Sequence, residues 1–288
     1  MATGRTESGC KVNLFLRVTG RRADGYHTLE TVFCPLRVPS DTLEVDFDAA
    51  PGIALDTDSR ELSGGMTDLV CRAAARYAET AGLAPNWRFR LEKRVPVAAG
   101  LGGGSADAAA ALRLLEGRYG ALGGETLKKL ALELGADVPF FLDPHPAVAG
   151  GVGEELEFVP MGAALPLVLV NPMFPVSARW AYRRFDSDGA GASACGLAGV
   201  LDGLKSGDLE LLARNIRNDL APALRRKFPV LSLIETELKE RGALAVEVSG
   251  SGPTLFALMP DMDRARRAQR ELTAKHPRWR SFAAEVMQ

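Results

Sequence analysis

Four glycines within five positions constrain this chain more than any other feature of its sequence. They lie in the segment P-V-A-A-G-L-G-G-G-S at residues 96–105, between an alternating stretch at 87–93 that predicts a strand and an Ala/Leu-rich stretch at 105–116 that predicts a helix. Because glycine has no Cβ, the backbone can approach a ligand closely here. Successive N–H groups of such a loop form a nest for an anion, and the start of the next helix adds its positive dipole end. The pattern predicts a loop that binds a polyphosphate.

Other interpretations of a glycine cluster fit this segment less well. A flexible linker or an ordinary turn is disfavoured because the loop joins a strand to a strong helix and Pro96 fixes its start. A P-loop needs a lysine directly before Ser105, and a dinucleotide fingerprint needs a glycine in place of Ser105; neither is present. The protein-kinase signatures H-R-D and D-F-G are also absent. Ser105 could cap the helix, and its hydroxyl could reach a phosphate or Mg²⁺.

Periodicity along the rest of the chain predicts a mixture of strands and helices. Strands are predicted at 11–18, 28–38, 42–47, 87–93, 165–170, 244–248, 254–259 and 281–286, and helices at 67–81, 105–116, 125–134, 197–205, 209–215, 229–241 and 264–274. Residues 185–195 are rich in Gly, Ser, Asp and Ala and predict a mobile loop. At 288 residues, the chain suits two modest domains that share a cleft, with a boundary near 160–164.

Charge and cysteine usage disfavour several classes of function. The chain has 35 basic and 36 acidic residues, so a nucleic-acid or membrane surface is not expected. The basic residues within 264–270 have helical spacing, which favours a solvated helix face. The four cysteines form no C-x-x-C pair and only three histidines are present, which argues against a zinc site and for a reducing cytosol. With no signal-like or membrane-spanning apolar stretch, the sequence predicts a cytoplasmic protein.

The glycine-rich segment resembles the phosphate loop of the GHMP kinases, the superfamily of galactokinase, homoserine kinase and mevalonate kinase. Further stretches narrow the resemblance to the kinases that act on 4-diphosphocytidyl-2-C-methyl-D-erythritol in the non-mevalonate isoprenoid pathway. They are K-V-N-L-F-L at 11–16 followed by G-R-R-A-D-G-Y-H at 20–27, G-A-D-V-P-F-F at 135–141, G-V-G-E at 151–154 and S-G-S-G-P-T-L-F at 249–256. The R-R-x-D-G-Y-H string is the specific one, since other GHMP kinases lack it.

This resemblance implies an α+β fold of two domains. A ribosomal-S5-like N-terminal domain would span residues 1–162 and a ferredoxin-like C-terminal domain residues 163–288, with ATP and substrate in the cleft between them. The implied reaction transfers the γ-phosphate of ATP to the 2-hydroxyl of the cytidyl substrate and releases ADP. Mg²⁺ would be carried mainly by the ATP phosphates, with no dedicated metal ligands.

The resemblance also implies roles for individual residues. Asp137 would accept the proton of the acceptor hydroxyl or orient that hydroxyl, and Lys11 would keep Asp137 ionised and polarise the hydroxyl. Asn13, on the same strand face as Lys11, would bond the substrate or Lys11. Tyr26 and His27 would recognise the cytosine by stacking and by hydrogen bonding. The ATP loop would comprise Pro96, Val97, Ala98, Ala99, Gly100, Leu101, Gly102, Gly103, Gly104, Ser105 and Ala106.

Each candidate also has an ordinary structural interpretation. Asp137 could bond its own backbone at a helix exit, Lys11 could be a solvated lysine at a strand start, and Tyr26 and His27 could decorate a surface hairpin. The surrounding motifs favour the functional interpretation in each case. A second aromatic that stacks on the cytosine could come from residues 175–182.

Five further positions are weaker candidates or departures from the family pattern. Gly250 and Gly252 could let their turn pack against the nucleotide loop, although a plain hairpin turn would look the same. Glu154 and Asp107 are weak candidates for Mg²⁺ ligands. The family usually has Ala before the motif lysine, where this chain has Cys10, a residue small enough to fill the same space.

Two alternatives to the leading hypothesis remain at this point. The first is another GHMP kinase, against which the Tyr26-His27 string argues. The second is a catalytically silent nucleotide-binding protein on the same fold, against which the presence of both Lys11 and Asp137 argues. The sequence does not indicate an oligomeric state.

Overall fold

The chain forms both strands and helices in the computed structural model, which describes residues 2–62, 64–188 and 196–286. The strands are β1 (Thr3–Arg21), β2 (His27–Asp46), β3 (Gly52–Thr57), β4 (Asn86–Glu92), β5 (Ala147–Gly150), β6 (Glu155–Phe158), β7 (Pro166–Asn171), β8 (Arg217–Asn218), β9 (Ala245–Val248), β10 (Leu255–Leu258) and β11 (Arg280–Glu285). The helices are α1 (Leu69–Ala81), α2 (Gly103–Tyr119), α3 (Gly123–Leu134), α4 (Ala178–Asp188), α5 (Leu197–Ser206), α6 (Leu209–Asn215), α7 (Ala221–Lys227), α8 (Val230–Glu240) and α9 (Met262–Lys275), with a 3-10 helix at Pro139–Leu142.

Contacts divide the chain into two compact units, each discontinuous in sequence. The first consists of Met1–Cys10, Pro39–Val97 and Gly102–Pro144, and the second of Lys11–Val38, Ala98–Leu101 and His145–Gln288. The strands β1 and β2 therefore supply residues to both units. The predicted boundary after residue 162 stays a prediction.

In the first unit, helices pack on a sheet whose strands alternate between buried and exposed residues. β4 pairs antiparallel with β2 and parallel with β3. Its Trp87, Phe89 and Leu91 are buried while Arg88 and Arg90 point to solvent, as the period of two requires. Helix α1 packs against α2, α3 and β3. The buried face of α2 is mostly alanine, and α1, α3 and the 3-10 helix pack against this helix.

In the second unit, a four-stranded antiparallel sheet has the order β11-β7-β10-β9. Every residue of its inner strand β7 is buried. Helix α8 packs on β9 and β10, and α9 packs on β7 and β11, which closes an apolar core. The same unit contains short pairings of β8 with β1, β5 with β2 and β6 with β5. These sheets with helices packed on them confirm the predicted α+β class.

Most predicted elements coincide with elements of the structure, and two differences have clear physical causes. The strands predicted at 28–38 and 42–47 are one strand, β2, because the polar Asp41 between them is fully buried and its carboxylate accepts backbone N–H groups of Arg94 and Val95. Part of the segment predicted as a loop at 185–195 is helical instead, since α4 extends to Asp188. The rest of that segment lies outside the described residues.

Helix α1 begins after its N-cap Asp68 and ends at Gly82, which caps it in a left-handed conformation. The predicted solvated helix face within 264–270 is confirmed. The arginines of α9 lie on its exposed face, where Arg264, Arg266 and Arg267 pair with acidic residues of the same helix or its cap. In the described ranges, no helix combines the length and apolar character needed to span a membrane.

Candidate active site

The glycine-rich loop has the backbone conformation of an anion nest. Ala98, Gly100 and Gly102 have positive φ angles of 50°, 76° and 69°. The residues between them, Ala99 and Leu101, bury their side chains and thereby anchor the loop. Alternation of left-handed and ordinary conformations turns successive N–H groups toward the same side. The loop therefore provides the backbone cradle that the sequence predicts.

Helix α2 begins directly after this cradle. Its N-cap, Gly102, makes no side-chain hydrogen bond to the first turn, so the helix N-terminus retains donors for an anion. The prediction that Ser105 caps the helix is wrong, because the left-handed Gly102 turns the chain into the helix three residues earlier. Gly103 is required by packing, since a Cβ there would lie 2.8 Å from Cγ1 of Val95.

In the second unit, the turn at 249–252 lies directly behind the loop. The Ser249 hydroxyl donates to the carbonyl of Gly100 at 2.9 Å, and the N–H of Thr254 donates to the carbonyl of Ala99 at 3.3 Å. A Cβ on Gly250 would lie 3.2 Å from the same Gly100 oxygen. The predicted packing of this glycine turn against the glycine-rich loop is confirmed.

Two buried asparagines that the sequence patterns do not single out hold this turn in place. Asn218 donates through Nδ2 to the carbonyls of Val248 and Gly250 at 2.8 and 2.7 Å. Asn171 donates through Nδ2 to Oγ1 of Thr254 at 2.9 Å. The sequence gives only a weak indication of the role of Asn171. It is a polar amide at the end of an apolar run, and a buried polar side chain usually forms hydrogen bonds.

Lys11 is buried, with 5% of its surface exposed, and its Nζ donates to Oδ1 of Asn13 at 2.7 Å. The ammonium also lies 4.6 Å from the ring centroid of Phe33. Asn13 in turn donates to Oγ1 of Thr31 at 2.8 Å, and the Lys11 N–H donates to the carbonyl of Leu101 at 2.9 Å. The interpretation of Lys11 as a solvated lysine is wrong. Its strand is bonded directly to the glycine-rich loop.

Cys10 lies beside Lys11 on β1 and is 1% exposed. The prediction that Cys10 is small enough to fill the space of the family's usual Ala therefore fits the structure, because the thiol is accommodated in the core.

Asp137 lies in the first unit, in the turn between α3 and the 3-10 helix. The apolar residues that follow it, Val138, Phe140 and Phe141, are buried, whereas Asp137 is half-buried. The Arg113 guanidinium donates to the carbonyl of Phe141, and burial lowers the pKa of Arg113. The motif G-A-D-V-P-F-F therefore anchors its apolar half in the core and keeps its carboxylate near the surface.

The hairpin before β2 presents Tyr26 and His27 in different ways. Tyr26 is 66% exposed, and its N–H is fixed by the Asp24 carboxylate at 3.1 Å. His27 is nearly covered: its ring stacks on Tyr182 at 4.9 Å between centroids and 18° between planes, and Nε2 lies 2.7 Å from Oδ1 of Asp186. Tyr182 belongs to the 175–182 stretch that was a candidate source of a second aromatic.

A buried ionic network lies beside the first turns of α2, within the first unit. Lys93 donates through Nζ to Asp41 and, at 2.7 Å, to Oδ2 of Asp107. The Ser8 hydroxyl donates to Oδ1 of Asp107 at 2.6 Å. Burial raises the pKa of Asp107 to about 7, although the Lys93 cation acts to lower it. Burial also acts to lower the pKa of Lys93, but the two carboxylates outweigh it, so that this pKa is raised.

The two weak candidates for Mg²⁺ ligands are already engaged by the protein. Both oxygens of Asp107 accept hydrogen bonds within the ionic network. Glu154 accepts the N–H of Val152 at 2.6 Å and closes its own turn. Across the described ranges, no cluster of three or more His, Cys, Asp or Glu side chains is arranged to hold a metal ion. Neither carboxylate fits the role of a dedicated ligand.

The raised pKa of Asp107 predicts a specific dependence of stability on pH. Between its ordinary value of 3.8 and about 7, the folded protein keeps the Asp107 proton that the unfolded chain releases. The contribution of Asp107 to the free energy of unfolding is therefore complete below this window and declines as pH rises through it, by at most about 1.4 kcal/mol per pH unit. In Asp107→Asn this decline is expected to disappear. Urea unfolding across the window, with Asp263→Asn as an exposed control, measures it; equal slopes in wild type and Asp107→Asn would contradict the prediction.

The chain matches two family profiles that together cover more than half of its length. Residues 68–144 match the GHMP kinases N terminal domain, and residues 200–278 match the GHMP kinases C terminal profile. Full-length relatives match as well. The 4-diphosphocytidyl-2-C-methyl-D-erythritol kinase of Rhizobium leguminosarum bv. trifolii is 40% identical, over 98% of this chain and 94% of the relative. The enzyme of the same name from Pelotomaculum thermopropionicum is 40% identical, over 89% of each chain.

Solved structures give the same result. A crystal structure of 4-(cytidine 5'-diphospho)-2C-methyl-D-erythritol kinase superposes with a TM-score of 0.85 and 35% identity, covering 99% of this chain and 100% of the other. A mevalonate kinase of L. major in complex with R-mevalonate superposes with a TM-score of 0.76 over 99% of this chain and 96% of the other. Since that protein is only 17% identical, its likeness concerns the fold alone.

Proposed function

Because the chain belongs to the 4-diphosphocytidyl-2-C-methyl-D-erythritol kinase family of the GHMP kinases, we propose that it transfers the γ-phosphate of ATP to the 2-hydroxyl of 4-diphosphocytidyl-2-C-methyl-D-erythritol. The products are the 2-phosphate and ADP, in the non-mevalonate route to isoprenoid precursors. The observation that carries this proposal is the match to relatives of that name along nearly the whole chain.

The ATP phosphates are proposed to lie against residues 96–106. Support comes from the positive φ angles at Ala98, Gly100 and Gly102 and from the uncapped start of α2. Because successive backbone N–H groups and the helix N-terminus all favour negative charge, the segment suits a polyphosphate better than a neutral ligand. Bound Mg²⁺ would neutralise phosphate charge during transfer. Since Asp107 and Glu154 are engaged elsewhere, we propose that the ion is held mainly by ATP itself.

In the proposed transfer, a bond forms between the substrate 2-oxygen and the γ-phosphorus while the bond from that phosphorus to the β–γ bridging oxygen breaks. Asp137 orients the hydroxyl and accepts its proton. Lys11 supplies a fixed positive charge that favours the developing alkoxide, and its bond to Asn13 limits the positions that the ammonium can take. Phosphoryl transfer depends mainly on such positioning and on charge stabilisation, so few side chains are needed.

The cytidine end of the substrate is proposed to bind at the hairpin that carries Tyr26 and His27. Tyr26 is largely exposed and offers an aromatic face for a base. His27 offers the ring nitrogen that does not contact Asp186, Nδ1, for a hydrogen bond. Tyr182 stacks beside His27 and is the candidate for the second aromatic contact.

A panel of acceptors tests the function. We expect ADP to be released with ATP plus the cytidyl substrate, with one 2-phosphate formed per ADP, and no release above background with homoserine or mevalonate. Turnover of homoserine or mevalonate without turnover of the cytidyl substrate would mean that the substrate assignment is wrong. Binding of ATP without turnover of any acceptor would instead favour the silent nucleotide-binding protein.

We further propose that the enzyme works in the cytoplasm. Among the described residues, Cys10, Cys34 and Cys71 are buried and form no disulfide, as in proteins kept in a reducing compartment. Burial, with a contribution from Asp68, raises the pKa of Cys71 to about 11, which keeps this thiol protonated.

A further inference from the structure

His27 is held by two side chains of the same helix. Tyr182 and Asp186 are four residues apart on α4 and therefore face the same side. Tyr182 stacks on the imidazole, and Asp186 Oδ1 lies 2.7 Å from its Nε2. The other oxygen of Asp186 lies 3.4 Å from the guanidinium of Arg21. The ring plane and the position of one nitrogen are thus both fixed.

The partner of Nε2 determines which nitrogen of His27 carries the proton. An ionised carboxylate only accepts hydrogen bonds, so the 2.7 Å contact requires a hydrogen on Nε2. In a neutral imidazole with a hydrogen on Nε2, Nδ1 is an acceptor. Among the described residues, Nε2 is the only atom of the His27 ring that is hydrogen-bonded.

An acceptor at this position distinguishes two pyrimidines. Cytosine presents an amino group at C4, which donates, whereas uracil presents a carbonyl oxygen there, which accepts. A lone pair on Nδ1 attracts the first and repels the second. A site built to pair a polar group discriminates strongly against an analogue that leaves the group unpaired.

We propose that Asp186 is a positioning residue for base selection: it holds the His27 ring with Nε2–H donated to its carboxylate, so that Nδ1 accepts the amino group of a cytosine and rejects a uracil. This inference rests on the proposed function, because it assumes that the cytidine end of the substrate binds at His27. It assigns to Asp186 an effect on the choice of base and none on phosphoryl transfer.

Asp188 provides a matched control on the same helix. Its carboxylate pairs with Arg184 at 3.1 Å and with Arg226, and it makes no contact with His27. Asp188→Asn therefore removes a charge from α4 without changing the contact between His27 and Asp186. Asp186→Leu removes the acceptor for Nε2, while Asp186→Asn keeps an oxygen that can still accept it.

The experiment compares kcat and KM for the cytidyl substrate and for its uridyl analogue, with ATP, in wild type and these three variants. For Asp186→Leu we expect KM for the cytidyl substrate to rise about tenfold, the loss of one oriented hydrogen bond, with kcat within about threefold of wild type. The preference for cytidyl over uridyl substrate should fall by a similar factor. Asp186→Asn should recover part of both effects, and Asp188→Asn should match wild type.

A spectroscopic measurement, which needs no turnover, tests which ring nitrogen of His27 carries the hydrogen. The chain has three histidines, so imidazole ¹⁵N signals can be assigned with His27→Gln. At alkaline pH, where imidazoles are neutral, wild-type His27 is expected to show hydrogen on Nε2 and none on Nδ1. A hydrogen on Nδ1, or an unchanged base preference in Asp186→Leu, would overturn the inference. If wild type fails to phosphorylate the cytidyl substrate, the proposed function fails instead, and the ¹⁵N result separates the two outcomes.

Discussion

Asp137→Asn is expected to bind ATP as tightly as wild type and to turn over about 10²–10⁴ times more slowly, the range that a single proton-transfer residue contributes. The substitution replaces one carboxylate oxygen by an amide nitrogen of nearly the same size. The amide can still orient a hydroxyl, but it cannot take up its proton. The loss should therefore appear in kcat and leave the affinity for ATP unchanged.

The structure gives a reason to expect that the fold tolerates this change. The buried part of the motif consists of Val138, Phe140 and Phe141, while Asp137 itself is half-buried. Arg113 anchors the segment through the carbonyl of Phe141 and not through a motif side chain. The melting temperature of Asp137→Asn is thus expected to stay close to that of wild type.

Glu125→Gln is a suitable control, because it makes the same chemical change on the neighbouring helix α3 at a side chain that is 85% exposed. It should retain full activity. Equal turnover in Asp137→Asn and wild type would remove Asp137 from the mechanism.

The local parts of the fold and site follow from the sequence because their causes are local. The glycine spacing at 100–104, between an alternating strand and an alanine-rich helix, predicts a phosphate loop. The positive φ angles at Gly100 and Gly102 agree with the expected backbone conformation, and the binding of phosphate stays a prediction. The burial of Lys11 and its bond to Asn13 are consistent with the alternation of residues on one strand face.

The parts that the sequence does not predict depend on contacts between distant segments. His27 and Asp186 are 159 residues apart, and Lys93 and Asp41 are 52 apart, so no local pattern links them. Asn218 holds the turn around Gly250 through bonds to backbone carbonyls, a role that residue type alone does not indicate. The predicted start of α2 at residue 105 is wrong for a different, local reason: the left-handed Gly102 begins the helix where a serine cap was expected.

Gly100→Ala is expected to cause the largest loss of stability among the proposed changes. A Cβ at this position would lie 2.1 Å from the carbonyl oxygen of Ser249 and 2.9 Å from the nitrogen of Gly252. Both obstacles are backbone atoms, so no change of rotamer relieves the overlap. The φ angle of 76° adds about 1 kcal/mol for any residue with a Cβ. With an overpacking cost of about 1–3 kcal/mol, the free energy of unfolding should fall by about 2–4 kcal/mol.

The same overlap should also weaken ATP binding, because the loop can escape only by moving away from the turn behind it. That movement breaks the bond from Ser249 to the Gly100 carbonyl and alters the alternating φ pattern on which the anion nest depends. Ser249→Ala removes this hydroxyl, which also accepts the N–H of Asn13 at 3.3 Å, and so separates the loss of its hydrogen bonds from the overlap at Gly100. It is expected to cost about 1 kcal/mol of stability and to leave ATP affinity within a few fold of wild type.

Gly117→Ala separates a specific clash from a general effect of replacing glycine. Gly117 lies on the exposed face of α2, and an added Cβ there meets no atom within 4 Å. Alanine is the better helix former, so this variant should gain about 0.5–1 kcal/mol while Gly100→Ala loses stability. Urea unfolding and calorimetric titration with ATP measure both quantities. Wild-type stability and affinity in Gly100→Ala would mean that the loop does not rest against the turn at 249–252, and the anion nest would then lack its support.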